Sequence, residues 1–310
     1  MRIVVNGWFW QATAVGSGQY LAALAVALSR VPTRHHFVLA VPEHLEGRRN
    51  LPVGWESAGV RTPLAGVSAD LAKVWFEQIS FPLLCRRLRA DIAFVPYWGS
   101  PWLRPCPVVV TVHDLIPLLL PLYRGGRRQR LYSWLVSLTA RRATAIITDS
   151  DASRRDIVTH LNVPFERVHA IHLAAESCVD NSTQHDAPDS RQGLPDGPFL
   201  LYLGGFDARK NVLRTIQGYA KFINRCDEQG VVAPALVVAG KLPGVNSDFA
   251  PDPRLVVRSL GLEKRVYFLG WVDDTVKATL YRRATGVLFV SEYEGFGLPV
   301  LEAMACEGGA

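Results

Sequence analysis

Short apolar segments alternate with longer amphipathic segments along this sequence, and this alternation constrains the fold more than any other feature. The apolar segments have the length and composition of strands, and the segments between them have the apolar spacing of helices. The run Val108-Val109-Val110-Thr111-Val112 is apolar on both faces, which is typical of a central strand in a parallel sheet. The pattern therefore predicts an α/β protein with parallel sheets.

The predicted strands form two groups. Seven lie near residues 2–5, 36–41, 58–62, 91–95, 107–112, 144–148 and 168–171, and four lie near residues 199–203, 235–239, 266–269 and 286–290. The predicted helices lie near residues 18–30, 68–88, 127–142, 152–161, 210–224, 274–283 and 298–306.

The stretch between the two strand groups has the Ser, Asp, Gln, Gly and Pro content of a linker. A chain of 310 residues is long enough for two domains. We predict an N-terminal Rossmann-like domain over residues 1–177, a linker over 178–197 and a C-terminal Rossmann-like domain over 198–310. Because ligands of such sheets bind outside the carboxyl ends of the strands, we expect the site in a cleft between the domains.

The positive charge is concentrated in the first strand group. Residues 1–180 have 20 basic and 13 acidic side chains, a net +7, whereas residues 181–310 have 14 and 15, a net −1. A basic half suits an anionic partner such as a phosphate group, a membrane surface or nucleic acid. No nucleic-acid-binding motif accompanies the charge, so nucleic acid is the weakest of these interpretations.

One predicted helix in the basic half has arginines around an apolar and aromatic segment. The arginines are Arg124, Arg127, Arg128, Arg130, Arg141 and Arg142, and they bracket Leu131, Tyr132, Trp134, Leu135 and Leu138. Such a helix could rest on an anionic membrane, and the alternative is that its apolar face packs in the core while the arginines stay solvated. No apolar run approaches the roughly 18 residues of a transmembrane helix. We expect a cytoplasmic protein with a possible peripheral membrane contact.

Three segments that follow strands carry candidate ligand-binding residues. Gly16 and Gly18 precede or open a helix, where backbone N–H groups can approach an anion, although a plain turn explains them equally well. His113-Asp114 follows the central strand. The pattern Asp149-Ser150-Asp151 looks like a metal-binding D-x-D motif, but helix capping is the better interpretation, and we predict no protein-bound metal.

Two further segments lie in the second strand group. Gly204 and Gly205 lead to Arg209 and Lys210, and glycines followed by adjacent cations suit a diphosphate. The string Glu294-Gly295-Phe296-Gly297-Leu298-Pro299-Val300-Leu301-Glu302-Ala303-Met304 places one glutamate on a loop and another inside the following helix. Carboxylates accept hydrogen bonds from hydroxyl groups, and the N–H groups at a helix start suit an anion. A sugar nucleotide offers both groups.

This string resembles the E-x7-E signature of the family 4 glycosyltransferases (glycosyl transferases group 1), and the earlier segments occur in the order expected for that family. The resemblance implies the GT-B fold, with two Rossmann-like domains facing across a cleft. It implies a retaining, metal-independent transferase that uses no cofactor beyond its nucleoside diphosphate sugar donor. The acceptor would be a hydroxyl of a glycan or of a lipid-linked acceptor in polysaccharide biosynthesis.

The resemblance also assigns roles to residues. Lys210 would neutralise the leaving diphosphate with help from Arg209, and Glu302 would hold the ribose. Glu294 and the N–H groups around Phe296, Gly297 and Leu298 would contact the donor sugar and phosphates. His113 would contact the sugar from the opposite domain, and Gly16 and Gly18 would lie near the diphosphate and acceptor.

Two departures from the family pattern affect these expectations. Many relatives have Arg at the position of Gly205, and the version here resembles a subgroup rich in mannosyl- and rhamnosyltransferases, which favours GDP-mannose as the donor. The residues Glu307-Gly308-Gly309-Ala310 stand where relatives continue with further elements, so we expect an incomplete C-terminal domain. The alternative to an active enzyme is therefore a truncated remnant that at most binds nucleotide or a partner.

Overall fold

The computed structural model describes residues 1–12, 15–47, 50–175 and 193–306. The chain divides into two compact units, Met1–His172 and Leu173–Ala310. Most of the predicted linker and the last four residues, 307–310, lie outside the described residues.

The first unit is built on a seven-stranded parallel sheet. Its strands are β1 (Arg2–Asn6), β2 (His36–Pro42), β3 (Trp55–Val60), β4 (Ile92–Val95), β5 (Val108–Thr111), β6 (Ala145–Thr148) and β7 (Val168–Ala170), in the spatial order β3-β2-β1-β4-β5-β6-β7. Its helices are α1 (Gly16–Arg30), α2 (Ala69–Trp75), α3 (Phe81–Arg87), α4 (Ile116–Leu119), α5 (Arg127–Ala140) and α6 (Asp151–Leu161).

Helices cover both faces of this sheet because successive strand residues point to opposite sides. Val5 in β1 packs in a buried cluster with Leu21 and Ala25 of α1. Its neighbour Val4 belongs to another buried cluster, which includes Phe76 and Phe81. The continuous apolar character of the strands is therefore explained by burial on two sides.

The second unit is built on a four-stranded parallel sheet with the order β10-β9-β8-β11. Its strands are β8 (Phe199–Leu203), β9 (Ala235–Ala239), β10 (Val266–Gly270) and β11 (Gly286–Val287), and its helices are α7 (Val212–Glu228), α8 (Pro253–Ser259), α9 (Asp274–Arg283) and α10 (Leu298–Ala305). The α/β architecture with parallel sheets is confirmed.

The structure corrects some element boundaries. The predicted helix 68–88 is interrupted by a π-helical turn, Phe76–Ser80, between α2 and α3. Helix α7 begins at Val212 rather than at residue 210, because Asn211 has left-handed backbone geometry with φ of 57°. Helix α8 was missed because it is short, although Asp252 caps it and Pro253 occupies its first turn.

Candidate functional site

In the second unit, the sheet brings together the loops that contain Lys210 and Glu294. Strands β8 and β11 are paired neighbours, so the loops that follow them leave the same edge of the sheet. The backbone N–H of Glu292 donates to the carbonyl of Arg209 at 2.8 Å. The side chain of Asn211 donates to the carbonyl of Val290 at 3.0 Å. These bonds join the two predicted segments into one site.

Arg209, Lys210 and Glu294 form an ion cluster at this edge. The Nη1 atom of Arg209 lies 2.6 Å from Oε2 of Glu294, and the Nζ atom of Lys210 lies 2.5 Å from Oε1. Asp207 is 3.3 Å from Nε of Arg209. The cluster is largely shielded, since the exposed fractions of the Arg209, Lys210 and Glu294 side chains are 12%, 18% and 19%.

The electrostatics of Glu294 depend on these cations. Burial acts to raise the pKa of Glu294, but the hydrogen bond and charge of Lys210, a hydrogen bond from Ser291 and the charge of Arg209 outweigh it. The net effect is a lowered pKa. Glu294 is therefore a carboxylate at neutral pH, and it forms ion pairs with both cations.

Glycines shape the backbone next to the cluster. The carbonyl of Gly205 accepts a 2.8 Å hydrogen bond from the hydroxyl of Tyr202. Gly297 precedes α10 with φ of 110°, a geometry that side-chain-bearing residues rarely adopt. It offers no side-chain cap to the helix that begins at Leu298. The first turn of α10, next to Phe296, is therefore a place where an anion can meet backbone N–H groups.

Glu302 lies in α10 in a separate set of contacts. Its Oε1 atom is 3.0 Å from Nζ of Lys277, and its Oε2 atom accepts a 3.0 Å hydrogen bond from the hydroxyl of Tyr281. Burial lowers the pKa of Lys277, but Glu302 and Asp274 outweigh it and raise the pKa overall. Both partners belong to α9, and sequence reasoning missed them because their spacing from Glu302 has no recognisable pattern.

In the first unit, His113 is held by Asp149, the first residue of the Asp149-Ser150-Asp151 pattern that the sequence analysis interpreted as helix capping. The Nδ1 atom of His113 lies 2.7 Å from Oδ2 of Asp149. His113 follows β5 and Asp149 follows β6, and the two strands are neighbours. The sequence signal for this contact was that both residues follow predicted strands that are consecutive in the chain. Capping of α6 itself is confirmed, with Ser150 Oγ accepting from the N–H of Ser153 at 3.1 Å.

The Asp149 contact fixes how His113 can meet a ligand. A carboxylate at Nδ1 keeps the proton on that nitrogen, which leaves Nε2 as the free ring position of the neutral imidazole. Nε2 is buried and has no hydrogen-bond partner among the described residues. The ring of Tyr20 packs edge-on against the imidazole with centroids 4.7 Å apart. The pair therefore presents one oriented, unoccupied nitrogen.

Gly16 and Gly18 lie in the first turn of α1, the same helix that carries Tyr20. A Cβ atom on Gly18 would lie 2.1 Å from the carbonyl oxygen of Ala12 and 2.8 Å from that of Phe9, so packing requires glycine there. A Cβ atom on Gly16 would meet no atom of the described residues within 4 Å. The fold requires only the second glycine, and the open space beside the first is available to a ligand.

A cavity of about 330 Å³ lies where β1, β2 and β3 end in the first unit. Its lining residues are Trp8, Gln11, Ala12, Pro42, His44, Leu45, Ala65, Ala69 and Ala72. The carboxyl edge of a parallel sheet is the usual place for a ligand, so this cavity is a second candidate site in the unit.

Helix α5 exposes residues that an amphipathic helix would bury. Leu131 and Trp134 are 64% and 58% exposed, whereas Ser133, Ser137 and Thr139 are buried. The arginines at its start, Arg127, Arg128 and Arg130, are also exposed. The alternative interpretation, in which the apolar face of this helix packs in the core, is therefore wrong for Leu131 and Trp134.

The described residues contain no group of three or more His, Cys, Asp or Glu side chains arranged to hold a metal ion. Among the helices the structure describes, none combines the length and the hydrophobicity needed to cross a bilayer.

Two family models match the chain. The model for Glycosyltransferase Family 4 matches residues 15–175, just over half of the sequence, and the model for Glycosyl transferases group 1 matches residues 186–308.

Among curated proteins, the serotype-specific mannosyltransferase WbdA of Escherichia coli is 29% identical over 218 residues, covering 68% of this chain and 25% of that protein. The O-antigen chain mannosyltransferase B of Escherichia coli is 30% identical over 200 residues, covering 64% of this chain and 50% of that protein. The alpha-D-kanosaminyltransferase of Streptomyces kanamyceticus is 28% identical and covers 89% of this chain and 69% of that protein. The chain thus matches only a quarter to a half of the two mannosyltransferases.

Solved structures share the fold. Sucrose-phosphate synthase from Thermosynechococcus elongatus is 20% identical with a TM-score of 0.68, and the match covers 99% of this chain and 79% of that one. HepE from Anabaena in complex with UDP-glucose is 18% identical with a TM-score of 0.62, at the same coverage. Both domains have the parallel-sheet architecture of GT-B glycosyltransferases, and the chain belongs to glycosyltransferase family 4.

Proposed function

We propose that this protein transfers a hexose from a nucleoside diphosphate sugar to a hydroxyl group of a glycan or lipid-linked acceptor, with retention of the anomeric configuration. The observation that carries the proposal is the cluster of Arg209, Lys210 and Glu294 at the carboxyl edge of β8 and β11. Two shielded cations beside a helix start suit a diphosphate leaving group, which is the part common to all such donors.

Before the donor binds, Glu294 forms ion pairs with Arg209 and Lys210. A diphosphate that enters the cluster takes over hydrogen bonds from Arg209 and Lys210, and the carboxylate is released to accept hydrogen bonds from the hydroxyls of the donor sugar. The cations then stabilise the negative charge that develops on the leaving group, where such fixed charges contribute most to rate.

The reaction needs no nucleophile from the protein. The bond between the anomeric carbon and the phosphate oxygen breaks while the acceptor oxygen bonds to the same face of that carbon. The acceptor proton passes to an oxygen of the leaving diphosphate. Because Lys210 and Arg209 supply the positive charge, the proposal includes no metal ion and no further cofactor.

Other residues bind the rest of the donor in this proposal. The free Nε2 atom of His113 contacts a sugar hydroxyl, and Asp149 orients the ring. Glu302 accepts from the ribose through the lone pairs that Lys277 and Tyr281 leave available. The N–H groups near Phe296, Gly297 and Leu298 face the phosphates, and Gly16 and Gly18 lie near the diphosphate and the acceptor.

GDP-mannose is the donor that we favour. Gly205 stands where many relatives have Arg, and two relatives are named as mannosyltransferases. A third relative is named as an alpha-D-kanosaminyltransferase, so these relatives differ in the sugar they are named for, and mannose is the most specific part of the proposal. A thermal-shift screen with GDP, UDP, ADP and their sugars tests it, and the largest stabilisation is expected with GDP-mannose.

The exposed face of α5 supports a lipid-linked acceptor at an anionic membrane. Leu131 and Trp134 stand out among arginines, the composition of a helix that lies in the interface of a membrane. In this part of the proposal the helix contacts the membrane peripherally, which brings the protein to an acceptor held there.

The change Lys210→Ala tests the proposed function. Because the leaving group loses its principal cation, we expect turnover to fall by about a hundredfold or more in a sugar-transfer assay. Lys221→Ala, on the exposed face of α7, is the matched control and should keep normal turnover. Near-normal transfer by Lys210→Ala, or inversion of the anomeric configuration in the product, would contradict the proposal.

A further inference from the structure

A fully buried glutamate lies in the first unit, outside the donor site described above. The exposed fraction of the Glu77 side chain is 0%. It belongs to the π-helical turn Phe76–Ser80 between α2 and α3. Such turns interrupt helices at a cost and occur frequently at functional sites. The isolated burial of a carboxylate also needs compensation by specific partners.

Groups from three elements face the Glu77 carboxylate. The Nζ atom of Lys73, in α2, lies 3.7 Å from its Oε1 atom. The hydroxyl of Tyr132, in α5, lies 3.0 Å and 3.2 Å from its two oxygens. The hydroxyl of Tyr97, which follows β4, also faces it. We call Glu77, Lys73, Tyr97 and Tyr132 the buried cluster.

The buried cluster holds the loop that follows β1. The Nζ atom of Lys73 lies 5.1 Å from the ring centre of Phe9, and the ring of Tyr97 packs edge-on against Phe9 at 4.8 Å. The hydroxyl of Tyr97 donates to Oδ1 of Asn6 at 3.1 Å, and the same oxygen accepts from the N–H of Trp8 at 3.1 Å. The buried cluster therefore holds Trp8 and Phe9, two consecutive residues of this loop, in place.

The same loop forms one wall of the cavity and supports the start of α1. Trp8 and Ala12 line the cavity of about 330 Å³, and so does Ala72 of α2. The carbonyl of Phe9 accepts from the N–H of Ala12 at 2.9 Å. That carbonyl also lies close to Gly18, where no side chain would fit.

We propose that Glu77 is a positioning residue for acceptor binding: its carboxylate fixes the Lys73 ammonium and Tyr97, and through Phe9 and Asn6 it sets the position of the Trp8 wall of the cavity. The acceptor is the ligand of that cavity, with a sugar ring packed against the indole. This inference rests on the proposed function for the identity of the ligand, and on the contacts above for the positioning.

The charge of the carboxylate is what the arrangement requires. Lys73 has Phe9, Tyr97 and Tyr132 around it at 4.6–5.3 Å, so Glu77 is the anion that balances it inside the protein. The hydroxyl of Tyr132 can donate to a neutral amide as well as to a carboxylate, and the hydroxyl oxygen of Tyr97, whose proton goes to Asn6, can accept from that amide. A neutral group at residue 77 therefore preserves the packing and removes the ion pair.

Glu77→Gln is the test, with Glu166→Gln, an exposed glutamate of the same unit, as the matched control. We expect the KM for the acceptor to rise about tenfold, the effect of losing one charge-assisted contact, while kcat and donor affinity stay within twofold. Burial raises the pKa of Glu77 to about 7, against the charge of Lys73 and hydrogen bonds from Tyr132, Tyr97 and Lys73. In the wild type, kcat/KM for the acceptor should therefore fall as the pH drops through about 7, and Glu77→Gln should be flat there at the low-pH level.

Amide hydrogen exchange separates this inference from the proposed function, because it needs no activity. The N–H groups of Trp10 and Ala12 are hydrogen-bonded within the loop, and we expect both to exchange faster in Glu77→Gln than in Glu166→Gln. Equal exchange and an equal acceptor KM in the two variants would overturn the positioning role. Faster exchange in a protein that transfers no sugar would instead overturn the proposed function alone.

Discussion

Two shielded glutamates, Glu77 in the first unit and Glu294 in the second, have pKa values that are shifted in opposite directions. Glu77 is fully buried, and burial raises its pKa to about 7 against the charge of Lys73 at 3.7 Å, the one cation close to it among the described residues. Burial also acts on Glu294, but Lys210 at 2.5 Å and Arg209 at 2.6 Å outweigh it and lower its pKa. The number and closeness of cations decide which effect is larger.

The comparison shows what each carboxylate is suited for. Glu294 stays charged over the physiological range, so it keeps two cations in place for a more highly charged ligand. Glu77 changes its charge near neutral pH and can alter the geometry of its surroundings. A low pKa thus accompanies the donor site and a raised pKa accompanies the proposed acceptor site.

The largest expected effect is on the pH dependence of stability. Between about pH 4.5 and 7, Glu77 is protonated in the folded protein and ionised in the unfolded chain, so stability falls as the pH rises through this range. The shift corresponds to about 3 kcal/mol. Glu77→Gln cannot titrate at this position. The difference between its free energy of unfolding and that of the wild type should therefore increase by that amount as the pH rises through this range.

Urea unfolding of the wild type and Glu77→Gln at several pH values from 4.5 to 8 measures this difference. Glu294→Gln is the contrast: because the pKa of Glu294 is lowered on folding, the stability it contributes is fully present above the unfolded value and is lost only below it, so the difference between this variant and the wild type should be constant over this pH range. Parallel pH profiles for the wild type and Glu77→Gln would contradict the assignment.

The next effect concerns the oriented histidine. Asp149→Asn removes the carboxylate that keeps the proton on Nδ1 of His113, and hydrogen bonds to charged groups contribute about 1.5–3 kcal/mol. We expect sugar transfer to fall about tenfold to a hundredfold. Nucleotide affinity should be unchanged, because the proposal assigns His113 to the donor sugar and not to the nucleotide. Equal loss of nucleotide binding would show that Asp149 acts through folding.

The two glycines of α1 should separate packing from ligand approach. Gly18→Ala places a methyl group against the Ala12 carbonyl, and such overpacking costs about 1–3 kcal/mol of stability. Gly16→Ala has open space and should leave the unfolding temperature unchanged while weakening donor binding. Equal unfolding temperatures for the two variants would contradict the packing difference.

The smallest expected effect is at the surface of α5. Arg128→Ala should weaken binding to vesicles of phosphatidylglycerol by about 1 kcal/mol, the usual contribution of one basic side chain near an anionic surface. Trp134→Ala should weaken it further by removing the exposed indole. Sedimentation with anionic and neutral vesicles measures both, and equal binding to the two lipids would contradict the membrane contact.

Much of the fold follows from the sequence because parallel strands buried on both faces leave a continuous apolar signal. Each of the eleven predicted strands overlaps a strand of the described residues, although β3 begins three residues earlier than its predicted start and β11 covers only the first two residues of the predicted 286–290. The π-helical turn at Phe76–Ser80 was not predicted, although the buried Phe76 and Phe81 are five residues apart, which is the spacing of a π-helical turn rather than of an α-helix.

The candidate site was predictable where its residues adjoin glycines and strand ends. Lys210 and Glu294 were singled out in separate segments, and the pairing of β8 with β11 explains why they meet. Asp149 and Glu77 were missed for different reasons. Asp149 looks like part of a helix cap, and Glu77 looks like any polar residue of an amphipathic helix, because its partners Tyr97 and Tyr132 are distant in sequence.

Calorimetric titration with GDP tests the central claim most directly, which is that Arg209 and Lys210 hold a diphosphate in place of Glu294. Compared with the wild type and the Lys221→Ala control, Lys210→Ala should bind about tenfold or more weakly through loss of a charge-assisted contact. Glu294→Gln should bind more tightly, because the competing carboxylate is gone. Equal affinity in all four proteins, or no binding of GDP, UDP or ADP by any of them, would contradict the account.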